Sequence, residues 1–574
     1  MSEPKVKEEI SLADKPFVVA GSGQTAKREG ATTKDVYNAE LFAALEETKI
    51  ETWSKTSIHL YFCIFIAFCC ACANGYDGSL MGSVLAMDHY QNVFHTGLDG
   101  QKVSVVTSIY TVGSMVAAPF SATISDKLGR RKCMFVGGWI IIIGSIVIST
   151  ASTLGQFIVG RFILGVGIQV MVVSAPAYAV EISPPHWRGR TVGFYNCGWF
   201  GGSIPAALIT YFCNFINSNY QWRIPFICQC VASIVVIISI WFIPESPRWL
   251  MSHGRDDEAI AFLVKYHGNG DPNARLVRLE VEEMKEGIRI DGIDKRWWDC
   301  KSPNPSPFAG SPIITYLEPW TDVFSNLEID RPFFMSHSGR WRFLQVIMIS
   351  VFGQWSGNGL GYFNATLFST IGYTSSSTQL LLNIINSIVS AVGALTAVCL
   401  TDRMPRRPVL IWGTFACSIT LAIFAGTTHP IATGSEFSAT LGKTALAFYY
   451  LFNVVFSFAY TPLQGVVPSE ALETTTRAKG LALSGFIVSL ISFISQFATP
   501  IGIANISTNY IWIFVGWDII ESICWYFFCV EAQGRTLEEL EWVYSQPKPV
   551  KASQSIAKVV VQADGRVTKM EDDS

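Results

Sequence analysis

The chain carries little charge for its length. Only 15% of its 574 residues are charged, whereas 50% are hydrophobic, and the mean hydropathy is +0.33. The net charge of −3 provides no basic surface, so we expect no nucleic-acid partner. Residues 1–56 are polar and lack the basic start and apolar core of a signal peptide. The composition predicts a membrane protein with many spans that begins with a disordered cytosolic tail at residues 1–56.

Motifs of enzymes and metal sites are also missing. The chain contains no HExxH and no GxSxG motif. Its 14 cysteines include no CxxC pair that is matched by a second pair or by histidines at zinc-ligand spacing. Cys63, Cys69, Cys70 and Cys72 crowd one apolar segment, where cysteine behaves as a small buried hydrophobe. We expect a protein that is not an enzyme and that needs no metal or other cofactor.

Apolar runs of about 20 residues, the length of a membrane-spanning helix, occur repeatedly along the chain. We number these predicted spans 1 to 12: 58–84, 103–124, 133–153, 156–182, 190–213, 222–243, 342–370, 379–400, 408–428, 443–467, 480–504 and 509–530. They predict an N-terminal six-helix half at 57–250 and a C-terminal half at 341–530. Between them, residues 251–340 form a polar linker with two stretches of helical apolar spacing, and residues 531–574 form a second tail.

Positive charge marks one side of the predicted membrane protein. Lysines and arginines cluster after spans 2, 4 and 8, within residues 127–132, 188–190 and 403–407. Connections on the other side, such as 152–155 and 504–508, contain none. Because cytosolic loops are enriched in Lys and Arg, both termini are expected in the cytosol. We expect the protein in the plasma membrane.

Short motifs repeat between the two halves. The motif "DKLGRR" at Asp126 is matched by "DRMPRR" at Asp402. Glu181 is followed seven residues later by Arg188, and the same spacing begins again at Glu470. A parallel duplication of six spans is a transporter architecture with its binding site between the halves.

Seven motifs in one order carry a family resemblance. They are "GYDG" in span 1, "DKLGRRK" after span 2, "GRFILGVG" in span 4, "RGR" after it, "PESPRWL" after span 6, "GQWSGN" in span 7 and "GRTLEEL" after span 12. From about Ile58 to Tyr544 the chain resembles the sugar porter family of the major facilitator superfamily, most of all its fungal lactose permease-like and cellodextrin transporter branch. The resemblance implies an all-α membrane protein with the major facilitator fold, in which a cytosolic helical segment separates two six-helix halves.

The charged residues after the spans are candidates for a cytosolic gate, because arginines can tie helix ends together through carboxylates. The candidate residues are Asp126, Arg130, Arg131, Glu181, Arg188, Arg190, Asp402, Arg406, Arg407, Glu470, Arg477, Glu531 and Arg535. The alternative is that these arginines only enforce topology. Pro405 stands where the family usually has glycine, which weakens the expectation for the second half.

A single acid, Asp77, ends the uncharged run of span 1. A carboxylate at membrane depth normally faces a cavity or pairs with a cation. Arg161 of span 4 has the matching depth, so we expect an Asp77–Arg161 pair that couples transport to a proton. The alternative is that Asp77 caps a helix break between Gly75 and Gly78 without moving a proton.

Amides and aromatic rings in spans 5, 7 and 10 are candidates for sugar contacts. The candidates are Asn196, Trp199, Gln354, Trp355, Asn358 and Gln464. Such amides can also simply bond a neighbouring helix. Hexose carriers of the family usually have larger side chains at the positions of Gly353, Gly359, Ser457, Gly465 and Ser489. These small residues indicate either a larger cavity, suited to a disaccharide, or a different ligand.

The sequence therefore predicts transport by alternating access, with proton-coupled import of a disaccharide of the lactose or cellobiose type. Two alternatives stay open: a passive carrier or symporter of a monosaccharide or sugar acid, and a sugar sensor that does not transport. The expected partners are a small sugar and the lipid bilayer, and the protein is expected to be monomeric.

Overall fold

The computed structural model describes residues 53–98, 100–285, 288, 336–400, 404–432, 438–472, 477–533, 537–554, 558–561 and 567–570. Nearly all of the predicted N-terminal tail lies outside these residues, as do the Pro-rich part of the linker and the candidate gate residues Asp402 and Arg535.

Helices α1 and α3 to α8 coincide with predicted spans 1 to 6, and the short helix α2 lies between spans 1 and 2. They are α1 Lys55–Val84, α2 Asp88–Phe94, α3 Gln101–Leu128, α4 Arg130–Ser149, α5 Leu154–Ile182, α6 Arg188–Cys213, α7 Tyr220–Cys228 and α8 Cys230–Ser239. The Ser54 and Thr153 side chains cap α1 and α5 by accepting hydrogen bonds from backbone N–H groups. Gly129, with φ +94°, makes the tight turn from α3 to α4.

Three helices follow span 6: α9 Pro247–Ser252, α10 Asp256–Tyr266 and α11 at 275–285. Helices α10 and α11 lie in the two linker stretches of helical apolar spacing, and α9 begins before the linker. Ala259, Phe262 and Leu263 on one face of α10 are buried in the core of the first half. Helix α10 therefore buries one apolar face.

The second half is built from α12 to α19, which coincide with predicted spans 7 to 12. They are α12 His337–Trp355, α13 Asn364–Thr370, α14 Ser376–Leu400, α15 Arg406–Ala432, α16 Ser438–Ala459, α17 Leu463–Ala471, α18 Arg477–Ile506 and α19 Tyr510–Phe528. The chain then forms α20 Leu537–Ser545, α21 Pro549–Ala552 and an antiparallel hairpin of β1 Lys558–Val561 and β2 Val567–Met570.

Spans 7 and 10 are interrupted, which the apolar pattern does not predict. In span 7, a 3₁₀ helix at Asn358–Phe363 separates α12 from α13, and Gly357 beside it has φ +79°. In span 10, α16 ends before Pro462, whose ring disfavours a continuous helix. Spans 1 and 4, their counterparts in the first half, are the unbroken helices α1 and α5.

The two halves have separate hydrophobic cores. They meet where α6 packs along α14 and where α18 packs along α3. Eight stretches of the described residues are long and apolar enough to cross a membrane, and one of them, Leu483–Phe528, covers spans 11 and 12. Helices α3, α6 and α12 are more polar. Helices α4 and α15 begin at Arg130 and Arg406. We call the side of the molecule on which these two helix ends lie the arginine-rich face.

Candidate functional site

Asp77 and Arg161 meet inside the first half. The Arg161 Nη1 donates a hydrogen bond of 2.7 Å to Asp77 Oδ1, and the two side chains are 3% and 0% exposed. Asp77 lies seven residues before the end of α1, and Arg161 lies seven residues after the start of α5. Both are therefore about 10 Å from helix ends on the same side. The sequence pairs these two residues because they lie at the same depth, and the structure places their side chains in contact.

The surroundings of Asp77 leave one carboxylate oxygen open. Gln229, between α7 and α8, donates to Asp77 Oδ1 at 3.0 Å. The guanidinium of Arg161 lies 5.2 Å from the centre of the Tyr110 ring, whose hydroxyl donates to Asn74. Among the described residues, Asp77 Oδ2 is buried without a hydrogen-bond partner. A proton on Oδ2 would therefore displace no existing hydrogen bond.

The alternative role of Asp77 as a cap at a helix break is wrong, because α1 runs unbroken from Lys55 to Val84. The glycines beside it serve close packing instead. A Cβ at Gly75 would lie 1.9 Å from the Trp199 backbone oxygen, and one at Gly78 would lie 2.2 Å from the Trp199 ring. Glycine at both positions lets α6 approach α1.

The candidate contacts of span 5 lie at the boundary between the halves. Trp199 packs on Gly78, next to Asp77, and is half-buried. Asn196 is half-buried and reaches the second half, because a Cβ at Gly465 would lie 2.5 Å from its Nδ2. Asn196 and Trp199 thus lie between the ion pair and span 10.

The candidate contacts of span 7 lie at the end of α12 and in the break that follows. Gln354 Oε1 accepts a hydrogen bond of 2.9 Å from Ser492 on α18. The Trp355 ring meets Trp517 of α19 edge to face, with centroids 5.3 Å apart. Asn358 begins the 3₁₀ helix and is half-buried. Of the two expected amides, Gln354 is already bonded to a neighbouring helix.

Neighbouring polar side chains fill the space that two glycines leave. Gln464 donates to the Gly353 carbonyl at 2.9 Å, and a Cβ at Gly353 would lie 2.4 Å from its Nε2. A Cβ at Gly359 would lie 2.2 Å from Ser495 Oγ. In this conformation, these glycines do not enlarge a cavity by themselves.

Arg130 is the centre of a charged group that we call the N cluster (Asp126, Arg130, Arg131, Glu181 and Glu245). Its Nε and Nη2 donate to the two carboxylate oxygens of Glu181, each at 3.2 Å, and its Nη1 donates to Asp126 at 2.9 Å. Glu245 accepts from the backbone N–H of Arg131 at 3.2 Å. Burial raises the pKa of the Glu245 carboxyl, and its backbone hydrogen bonds oppose that shift.

The corresponding group in the second half is the C cluster (Arg406, Arg407, Glu470 and Glu531). Arg406 Nη2 donates to Glu470 at 3.0 Å. Glu531 accepts from the backbone N–H groups of Arg406 and Arg407 at 3.0 and 2.9 Å. The N cluster joins the ends of α3, α4 and α5 to the segment after α8, and the C cluster joins the ends of α15 and α17 to the segment after α19.

Of the remaining gate candidates, Arg188 has its described ion pair outside these clusters. Arg188 pairs at 3.2 Å with Glu280 of linker helix α11 rather than with Glu181, and Glu280 also lies 2.6 Å from His267 Nδ1. Arg190 is exposed. Arg477 begins α18, but its side chain is outside the described residues, together with Asp402 and Arg535.

A family model described as sugar (and other) transporter matches residues 62–302 and 324–544, most of the chain. The chain belongs to this family. It is a membrane transporter with the major facilitator fold and not an enzyme, as the sequence predicts.

The relatives of this transporter are named for different substrates. It is 28% identical to a high-affinity glucose transporter of Kluyveromyces lactis, over 86% of this chain and 88% of the relative. It is 26% identical to a quinate permease of Neurospora africana, over 88% of this chain and 92% of the relative. The E. coli proton:xylose symporter XylE, bound to 6-bromo-6-deoxy-D-glucose, superimposes with a TM-score of 0.67 at 20% identity, over 85% of this chain and all of XylE. These relatives do not single out the lactose permease-like branch.

Sequence reasoning missed three buried polar residues of this transporter. Gln229 is a lone amide in span 6, and its hydrogen bond to Asp77 could not be assigned without the fold. Asp518 and Glu521 in "WDIIES" are two acids within span 12, which was an available signal of the same kind as Asp77. Both are fully buried in α19.

Proposed function

We propose that this protein is a proton-coupled sugar symporter in which Asp77 carries the proton. The observation that supports this most is the fully buried pair of Asp77 and Arg161, with one carboxylate oxygen left open. A charged pair inside a membrane protein is costly to desolvate, and it marks proton or substrate pathways more often than it contributes stability.

Protonation of Asp77 would cancel its attraction for Arg161 and leave a guanidinium to find other partners. The nearest aromatic face, Tyr110, already lies under Arg161. Span 1 also touches the second half, because a Cβ at Gly82 would lie 2.8 Å from the carbonyl oxygen of Tyr362. A change in the charge of the pair can therefore bias how the two halves pack, and that bias is the coupling we propose.

The described contacts between the halves favour a conformation closed opposite the arginine-rich face. Asn383 donates to Ser83 at 2.8 Å and Asn214 donates to Ser377 at 3.0 Å, and both bonds cross from one half to the other. Arg130–Glu181 and Arg406–Glu470 each lie within one half. We propose that the N and C clusters form the cytosolic gate, with both termini in the cytosol of a plasma-membrane protein.

The substrate has two candidate sizes. The small residues of spans 7, 10 and 11 are the basis for a disaccharide. The second candidate is a monosaccharide or a sugar acid. It is favoured because Gln464 and Ser495 occupy the space at Gly353 and Gly359, and because the relatives include a glucose transporter and a quinate permease.

The decisive test is accumulation of labelled sugar against external pH in Asp77→Asn, in cells that lack other carriers. Asparagine keeps the shape of aspartate but takes up no proton, so we expect pH-dependent accumulation to be lost while sugar exchange down a gradient continues. Lactose, cellobiose, glucose, xylose and quinate are compared in the wild type first, to identify the transported sugar and its size.

Each result decides one part of the proposal. Equal accumulation by the variant and the wild type would make Asp77 a purely structural residue. A wild type that exchanges sugar but never accumulates it would be a passive carrier. A wild type that moves none of the five compounds, although it reaches the membrane, would favour a sensor.

A further inference from the structure

The second half carries two acids at mid-membrane depth. Asp518 and Glu521 lie eight and eleven residues after the start of α19, about 12 and 17 Å along its axis. Each side chain is 0% exposed. Because they are three residues apart, they share one face of the helix. The coupling role proposed for Asp77 does not involve these two acids, because Asp77 is paired with its own arginine.

Three of the four carboxylate oxygens of this pair have no hydrogen-bond partner among the described residues. Within the described chain, both Asp518 oxygens and Glu521 Oε1 are buried without a hydrogen bond. Glu521 Oε2 contacts Ser356 Oγ and lies 3.2 Å from the Tyr460 hydroxyl. Two ionised carboxylates this close, without a cation, strongly disfavour each other in the protein interior. The pair therefore holds at least one proton.

The described groups that face the pair are uncharged. They are Ser356 at the end of α12, Cys417 on α15, Tyr460 after α16, and Trp517 and Cys524 on α19 itself. The charged residues and histidines of the long helices packed on α19 lie at helix ends: His337, Arg340 and Arg342 on α12, Arg406, Arg407 and His429 on α15, and Arg477 and Lys479 on α18. The 3₁₀ segment Ser507–Asn509 has no charged residue.

The two oxygen contacts of Ser356 favour a proton on Glu521 as well. Ser356 Oγ lies 2.6 Å from the carbonyl oxygen of Phe352 and contacts Glu521 Oε2 as well. A serine hydroxyl has one proton and can donate it to only one of these acceptors. Both contacts are satisfied when protonated Glu521 donates to Ser356 and Ser356 donates to Phe352.

We propose that Asp518 and Glu521 form a second proton-binding site, whose proton controls the break in span 7. Ser356 is the residue between the end of α12 and Gly357, where the helix is interrupted. When Glu521 loses its proton it becomes an acceptor, and the Ser356 hydroxyl turns from Phe352 to Glu521. The end of α12, next to Trp355 and Gln354, thus responds to the proton.

The first test measures the proton without any sugar. Infrared spectra of the purified protein in lipid nanodiscs, in H₂O and D₂O, record the C=O band of protonated carboxyl groups across pH. We expect a band at neutral pH that is lost in part in Glu521→Gln and in Asp518→Asn. It stays in Asp77→Asn, the matched control, because an ion-paired carboxylate contributes no such band. Absence of the band, or its persistence in both variants of α19, overturns the proposal.

The second test asks whether this proton is coupled to transport, and it alone rests on the proposed function. In the wild type and Glu521→Gln, the logarithm of sugar accumulation is measured against the pH gradient. We expect the slope to fall in Glu521→Gln but to stay above zero, because the proton on Asp77 still drives accumulation while the proton on Glu521 no longer biases span 7. In Ser356→Ala, the slope falls in the same way while the carboxyl band stays.

A slope equal to that of the wild type in both Glu521→Gln and Ser356→Ala overturns the coupling. If the wild type itself does not accumulate sugar, the proposed symport fails. The infrared band then still decides whether the site holds its proton. Size-exclusion elution of each variant checks that it is folded.

Discussion

The two halves of the molecule are alike on the arginine-rich face and different inside. In both, an arginine at the start of a helix binds the glutamate that ends another span, as Arg130 binds Glu181 and Arg406 binds Glu470. In both, a glutamate that follows the last span of the half accepts a hydrogen bond from the backbone of the arginine-rich turn: Glu245 from Arg131 and Glu531 from Arg406. The halves thus share the charged connections that tie helix ends together.

The interiors have opposite charge chemistry. The motif "GYDG" of span 1 corresponds to "QWSG" of span 7, so Ser356 stands where the first half has Asp77. Each contacts the last span of its own half: Asp77 contacts Gln229 in span 6, and Ser356 contacts Glu521 in span 12. The first half therefore buries an ion pair, and the second buries two acids beside which the described residues place no cation. The two halves therefore share their charged helix connections and differ in the ionisable groups that they bury.

The largest expected effect comes from removing one member of the ion pair. Arg161→Ala should lower the free energy of unfolding by about 3–5 kcal/mol, because it leaves a buried carboxylate without its cation. Glu521→Gln should change it little, since a neutral amide replaces an acid that has no cation to lose. Both are measured by SDS-induced unfolding of purified protein in mixed micelles.

The double variant Asp77→Asn/Arg161→Gln is the control for this contrast. Because it removes both charges together, it should be much more stable than Arg161→Ala, which makes the two losses non-additive. Equal destabilisation by Arg161→Ala and Glu521→Gln would remove the difference between the two interiors.

Much of this architecture could be predicted from the sequence. The apolar runs place all twelve spans, and the depth of Asp77 within span 1 is enough to select Arg161, because helix rise per residue is constant. The partners of Arg188 and Gln229 could not be predicted. Glu280 and Asp77 reach them through the packing of helices that are far apart in the chain.

The breaks in spans 7 and 10 were also hidden from the apolar pattern. Hydrophobicity measures burial in the membrane, and it does not register a 3₁₀ turn at Gly357 or the missing N–H of Pro462. Asp518 and Glu521 were visible as letters, but their lack of a cation is a property of the packed neighbours.

An intermediate effect is expected at the boundary between the halves. Asn196→Ala should raise the half-saturation constant of the transported sugar by roughly two- to tenfold, the equivalent of one lost hydrogen bond. Gln354→Ala should have a smaller effect, because Gln354 already bonds Ser492. Initial uptake rates against sugar concentration, normalised to protein at the membrane, measure both. Ser492→Ala is the matched control for the second half, and an effect of Gln354→Ala larger than that of Asn196→Ala would contradict the ordering.

The smallest expected effect separates a gate from a topology signal. Lysine keeps the positive charge that orients the spans but cannot make the two-pronged contact of a guanidinium. Arg130→Lys loses such a contact with Glu181, whereas Arg406→Lys loses a single described bond to Glu470. We therefore expect Arg130→Lys to be destabilised by about 1 kcal/mol and Arg406→Lys by less.

If the N cluster also closes the arginine-rich face, Arg130→Lys should change the rate of sugar exchange at unchanged membrane insertion. A cluster that served topology alone would leave exchange the same in both lysine variants, because lysine and arginine orient a span equally well. Exchange rates and unfolding midpoints of the two variants, measured side by side, therefore test whether the charged connections that the halves share also move during transport.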